Sequence, residues 1–256
     1  MLIRSWNLFH GNTSPPGRRS YLEEMVRMAS ADHPDVLLLQ EVPVWALQRL
    51  GTWSGMTAIG DVARRPTIGG LPIPAGLGRA LTALHPGLLR SAFSGQANAI
   101  LLGPDLQPSD HRVETLNPRA ARRAVAQDLG LSLSRQVGWA KERRICSAVR
   151  VSTHLLVANL HATSAPLDTR LPAAELARAR SFVEGLARID DVVVLGGDFN
   201  LEGASAGLKG WSAPGHGIDH VLVRGARPSP LRAWPEERRR LEGTLVSDHA
   251  PVELEL

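Results

Sequence analysis

Six short polar clusters in this 256-residue chain carry residue types that bind cations and move protons. They are Trp6-Asn7, Gln40-Glu41, Asn159-Leu160-His161, Gly197-Asp198-Phe199-Asn200, Ile218-Asp219-His220 and Ser247-Asp248-His249. Each stands at or just past the end of an apolar run, or on one face of an alternating one. Side chains at strand ends converge on a crevice, where sites in sheet proteins commonly form. The candidate ligands are oxygens: the carboxylates of Glu41, Asp198 and Asp248, and the amide oxygens of Asn7 and Asn200. Such a set suits a hard cation, Mg²⁺ first, with Mn²⁺ or Ca²⁺ as substitutes. Zinc fits less well, because there is no thiolate pair and no His-Glu-x-x-His helix. His216 and His220 are four apart, but Gly215 and Gly217 argue against a helix there. A serine-hydrolase reading fails because no Gly-x-Ser-x-Gly elbow appears.

Taken singly, these residues have plain structural readings. Asn7 could cap a turn, Glu41 beside Pro43 could be a loop carboxylate, and Asp198 after two glycines could be a turn residue. His161 could be a strand histidine with its hydrogen bonds satisfied, and His220 a packing residue. Their occurrence together is what points to a site. His10, His33, His85, His111 and His154 match none of the clusters.

The elements that must position these groups alternate between strand and helix. Strands are expected at Leu2–Phe9, Asp35–Glu41, 97–102 and 145–151. They continue at His154–His161, where Leu155, Val157, Asn159 and His161 share a face, then at Val192–Leu195, Ile218–Val223 and Ala250–Leu256. In the last, Glu253 and Glu255 alternate with Val252, Leu254 and Leu256, which predicts one wet face. Ser20-Tyr21-Leu22-Glu23 reads as a capping box opening a helix that buries Leu22, Met25, Val26 and Ala29. A second helix starts near Pro172, with Leu176, Ala179, Val183 and Leu186 on one stripe. Residues 62–96, rich in Gly and Pro, and 104–144, rich in arginine, read as long irregular segments of the kind that often form functional loops. A helix beginning at Pro118 would put Arg119, Arg122 and Arg123 on one face.

No linker or repeat divides the sequence, so a single domain over 1–256 is expected. One cysteine, Cys146, allows no internal disulfide and suits a reducing cytosol. No leader and no apolar run long enough to span a bilayer is evident. The net charge is +4, and all cationic side chains but Lys141 and Lys209 are arginines, which favours polyanionic partners.

From Asn7 through His249, the clusters and their order resemble the endonuclease/exonuclease/phosphatase superfamily, the deoxyribonuclease I-like metal-dependent phosphoesterases. Gly-Asp-Phe-Asn after an apolar strand is the most specific of them. The resemblance implies an α/β (α+β) fold, a four-layer α/β/β/α sandwich of two packed mixed sheets flanked by helices. It implies a Mg²⁺-dependent hydrolase that cleaves a phosphate ester by in-line attack of water. Glu41 would be the main metal carboxylate, with Asn7 and Asp248 beside it. Asp198 would orient or deprotonate water, Asn200 would hold a phosphate oxygen or a second metal position, and His161 would donate to a phosphoryl oxygen. His249 would face the scissile phosphate, paired with Asp219.

The repair-nuclease branch usually has an acidic residue where Phe9 stands, and a middle-strand tyrosine that this chain lacks. Asn159-Leu160-His161 is closer to the deoxyribonuclease, sphingomyelinase and phosphatase branches. The arginine-rich 104–144 segment, with Arg143 and Arg144 as substrate contacts, favours a nucleic acid and hence a nuclease. The alternatives are a phosphomonoesterase or lipid- or inositol-head phosphoesterase, and, in another class, a non-catalytic phosphate- or nucleic-acid-binding protein. A monomer without an obligate partner is the expected state.

Overall fold

The computed structural model describes residues 1–65, 67–68, 71–74, 77, 94–164, 168–203, 208–212 and 215–256. Most of the Gly- and Pro-rich 62–96 stretch, including His85, lies outside the described residues. The chain divides into two compact units, Met1–Gln107 with Pro228–Leu256, and Pro108–Arg227. The first supplies strands β1 (Leu2–Asn7), β2 (Val36–Val42), β3 (Thr57–Arg64) and β4 (Gln96–Leu102), and later β11 (Arg232–Ala233) and β12 (Val252–Glu255). The second supplies β5 (Asp110–Thr115), β6 (Ile145–Ser152), β7 (Leu155–His161), β8 (Val192–Asp198), β9 (Gly215–His216) and β10 (Asp219–Arg224). Each set forms a six-stranded mixed sheet, ordered β11-β12-β1-β2-β4-β3 and β9-β10-β8-β7-β6-β5. Two mixed sheets flanked by helices are the α/β arrangement the sequence implied.

The two sheets share one building plan. In the first, β1 and β2 are parallel and joined through helix α1 (Leu22–Ser30); in the second, β7 and β8 are parallel and joined through a long helix over Arg170–Leu186. Parallel neighbours need such a crossover, and it covers the sheet face it returns across. Leu22, Met25, Val26 and Ala29 of α1 meet Trp6, Leu37, Leu39 and Leu101 in one buried cluster. Leu176, Ala179 and Val183 of the long helix meet Leu156, Ala158, Leu160, Val193 and Leu195 in another. Leu37 and Leu39 are wholly inaccessible, and truncating either to Ala should cost about 2–5 kcal/mol.

Four expectations are corrected. β1 stops at Asn7, because Phe9, His10 and Gly11 turn into the left-handed region. The capping box does not form: Tyr21 is the N-cap of α1 and makes no side-chain cap bond, while its backbone N–H is tied to Gly11 O at 2.9 Å. Glu253 is not on a wet face. It accepts from the inaccessible Arg4, through Nε at 2.9 Å, and from Trp234 Nε1 at 2.8 Å. Finally, 104–144 is not irregular. It holds β5 and helices over Arg119–Asp128 and Leu133–Lys141, fixed by a small core of Ala126, Leu131, Trp139 and Leu171. Arg119, Arg122 and Arg123 do lie on the first of those helices. No helix among the described residues is long and apolar enough to cross a membrane.

Candidate active site

In the first unit, the parallel pair brings Asn7 opposite Gln40 at the C-terminal ends of β1 and β2. Against β4, Leu39 pairs with Ala99 and Val42 with Ala97, so Gln40 and Glu41 together oppose the single Asn98. This is a β-bulge, which re-aims a side chain at a strand end. Glu41 adopts φ 53°, a left-handed conformation that costs a non-glycine residue about 1–3 kcal/mol.

The chain leaving β1 is strained in the same way. Phe9, His10 and Gly11 have φ of 46°, 53° and 79° in succession. Asn7 Oδ1 accepts the Phe9 N–H at 2.9 Å and fixes the start of the turn. Gly11 is required, because a Cβ there would meet Ser20 Oγ at 2.6 Å and Leu22 Cβ at 2.7 Å. The turn delivers the buried His10 ring to Glu41, with Nε2 3.2 Å from Oε2, while Nδ1 lies 3.4 Å from Ser94 Oγ. Sequence reasoning assigned His10 no role, and no spacing signal marks it.

The Ser247-Asp248-His249 turn is held in the same unit. Ser247, at φ 58°, donates from Oγ to Asn7 O at 2.7 Å and accepts the His249 N–H at 3.0 Å. Trp6 Nε1 donates to His249 O at 3.0 Å. Asp248 is half-exposed, its Oδ1 3.9 Å from His249 Nε2. The unit thus carries Asn7 at the end of β1, Glu41 on the bulge of β2 and Asp248 in a turn tied to Asn7 O through Ser247, oxygen donors of the kind that suit a hard divalent cation.

In the second unit, three candidates stand in register. Asp198 at the end of β8 pairs with His161 at the end of β7 on one side and with Asp219 at the start of β10 on the other. Register partners on neighbouring strands share a sheet face, so the three side chains form one row. Gly197 makes this alignment possible: at φ 140°, a Cβ would fall 1.9 Å from Leu160 O. Asp198 Oδ1 accepts the Asn200 N–H at 2.9 Å, and Asn200 Nδ2 donates to Ala162 O at 3.0 Å. Asp198 Oδ2 lies 3.5 Å from His161 Nε2. Arg144 is buried, with Nη1 3.1 Å from His161 Nδ1 and 3.2 Å from Nε2, and it also pairs with Glu142.

Two neighbours support this row. The segment after His161 is anchored by buried Glu175, which accepts from Thr163 N–H at 2.6 Å, Thr163 Oγ1 at 2.7 Å and Trp139 Nε1 at 2.6 Å. Burial raises the Glu175 pKa against the pull of those donors. His220 is a packing residue. Burial lowers its pKa, its Nε2 donates to Leu201 O at 2.8 Å, and its ring lies 5.1 Å from that of Phe199. Arg143 is exposed and donates to Thr115 Oγ1 at 2.9 Å.

Each unit places carboxylate and amide oxygens and a histidine at or near strand ends, groups of the kind that hydrolysis of a phosphate ester uses. The sequence profile of the Endonuclease/Exonuclease/phosphatase family matches residues 5–249, and the chain belongs to that family. It is therefore a phosphoric ester hydrolase, and family enzymes of this kind generally work with a divalent metal. No curated protein sequence matches it. Among solved structures it is similar to a functionally unknown conserved protein from Enterococcus faecalis, with TM-score 0.65, 15% identity, and coverage of 100% of this chain and 98% of that one. A humanized D. rerio TDP2 carrying 14 mutations gives TM-score 0.65, 15% identity and coverage of 99% and 97%. A mannosyl-6-phosphatase from Bacteroides thetaiotaomicron gives 0.63, 15% and coverage of 100% and 98%. At these identities the likeness establishes the fold.

Proposed function

We propose that residues 1–256 act as one catalytic domain, a Mg²⁺-dependent phosphodiesterase that cleaves nucleic acid as a monomer in the cytosol. The observation that carries the reading is the in-register row of His161, Asp198 and Asp219 with Arg144 against the histidine. Such a row pairs a proton acceptor with donors for an oxyanion. Asn7, Glu41 and Asp248 would hold the cation. A bound Mg²⁺ would supply positive charge to the phosphoryl oxygens as negative charge builds on them.

In this mechanism Asp198 Oδ2 accepts the proton of the attacking water. Asn200 keeps Asp198 in place through its backbone N–H and presents its amide to a phosphoryl oxygen. His161 and Arg144 donate to the developing charge, an electrostatic contribution that in comparable sites amounts to about 2.7–4 kcal/mol per donor. His249 protonates or stabilises the leaving oxygen. Support for a nucleic acid over a small ester comes from exposed Arg112, Arg119, Arg123, Lys141 and Arg143 on the segment that precedes Arg144.

The test is a panel of esters with Mg²⁺ and with Mn²⁺: plasmid and single-stranded DNA, RNA, sugar phosphates, a phosphoinositide and bis-p-nitrophenyl phosphate. Chelator-sensitive cleavage of DNA or RNA, lost in Asp198→Asn, is the expected result. Turnover of only a sugar phosphate or a phosphoinositide would replace the nuclease reading by a monoesterase or lipid-head reading. Binding of DNA with no turnover of any ester would leave a binding protein.

A further inference from the structure

Arg239 is a buried cation with no carboxylate in ion-pair reach among the described residues, and its Nε makes no hydrogen bond. It ends a single-turn 3₁₀ helix, Glu236–Arg239, and precedes a tight ribbon in which Arg240–Leu241 pairs with Thr244–Leu245. Its backbone carbonyl accepts the Val246 N–H at 3.0 Å on the far side of the ribbon. Its guanidinium goes further along the same strand: Nη1 donates to His249 O at 3.0 Å and to Ser247 O at 3.4 Å. Those two carbonyls flank Asp248.

Such a cation is costly. Burial lowers the Arg239 pKa, outweighing the attraction of Glu236 and Asp248. Where stability alone is concerned, an apolar side chain of like volume commonly does as well as a buried charge or better. The strained Ser247, at φ 58°, needs restraint from several directions. Asn7 O and Trp6 Nε1 restrain the turn from β1. Arg239 restrains it from the ribbon.

We propose that Arg239 is a positioning residue that fixes the Asp248–His249 turn by clamping the carbonyls of Ser247 and His249, and so sets the rate of the chemical step without touching substrate. The proposal rests on the phosphoesterase reading for its kinetic consequence, but not for the clamp itself.

The experiment compares wild type, Arg239→Lys and Arg239→Met in two measurements. Hydrogen exchange by mass spectrometry follows the amides of 246–250 in metal-free protein. Steady-state hydrolysis of bis-p-nitrophenyl phosphate with Mn²⁺ gives kcat and KM. In a folded Met variant, exchange at 246–250 should quicken, and kcat should fall about 10–100-fold, as for other residues that orient a site through its ligands. KM should stay within about twofold, because no substrate contact is lost. The Lys variant, with one donor able to reach one carbonyl, should recover part of kcat. A folded Met variant with unchanged exchange at 246–250 would overturn the clamp. Faster exchange with kcat unchanged, or a loss confined to KM, would overturn its role in the chemical step. If Met does not fold, Lys is read by the same criteria. If wild type leaves the ester intact, the functional reading fails for that substrate while exchange still decides the clamp.

Discussion

His10 Nε2 lies 3.2 Å from Glu41 Oε2, and both residues hold the same left-handed backbone angle, φ 53°. Two strained turns thus meet at the carboxylate proposed as the main cation ligand. A carboxylate with one oxygen held by a buried donor presents the other in a fixed direction. Replacing His10 by Ala should lower Mn²⁺ affinity about 10–100-fold, with Glu41→Gln affected at least as strongly. Titration calorimetry measures both. Unchanged binding in His10→Ala would show that the contact does not orient a ligand.

Asp198 is expected to be the most sensitive carboxylate in the second unit. Asp198→Asn keeps the acceptor for the Asn200 N–H but cannot take a proton. Its kcat on any ester cleaved by wild type should fall by about 10²–10⁴-fold, with the fold intact by circular dichroism. A variant within tenfold of wild type would move the proton-accepting role elsewhere.

Gly197→Ala should fail through structure. Its new methyl would sit 1.9 Å from Leu160 O at φ 140°, so β7 and β8 must part where His161 and Asp198 are aligned. The expected loss is about 3 kcal/mol or more, in the range of overpacked and strained sites. Urea unfolding of the variant reads it directly, and a shift below about 1 kcal/mol would contradict it.

A pH effect follows from Asp191. The bidentate hydrogen bond from Arg150, at 3.0 and 2.9 Å, lowers its pKa. A folded pKa below the unfolded one means this stabilisation is complete above about pH 4, the ordinary carboxylate value. It is lost as pH falls through the folded pKa. Asp191→Asn should therefore destabilise at pH 7, and the difference from wild type should shrink steadily below pH ~4. Thermal melts from pH 7 to pH ~2 test this; a difference constant with pH would refute it.

What was legible in the sequence were the groups whose signal is local. Val36–Val42 and Val192–Asp198 are runs that can only be buried strands, and the polar residues ending them stand where the pattern put them. What was hidden depends on partners far along the chain. Glu253 looked solvent-facing because alternation says nothing about Arg4, 249 positions away. His10 reaches Glu41 only through three consecutive left-handed residues, which no periodicity announces. Within 104–144 the helix from Pro118 could be read, but the one over Leu133–Lys141 could not, and their small core closes only with Leu171 from a later helix.

Phe9, His10, Glu41, Asn200 and Ser247 are five of the seven non-glycine residues with positive φ among the described residues, and all five border the proposed chemistry. The left-handed strain is therefore concentrated around the proposed site, in its loops and at the bulged end of β2. Warming should slacken those loops first, so that catalytic rate is lost several degrees before the sheets melt, and glycine introduced there would make a sturdier but duller enzyme.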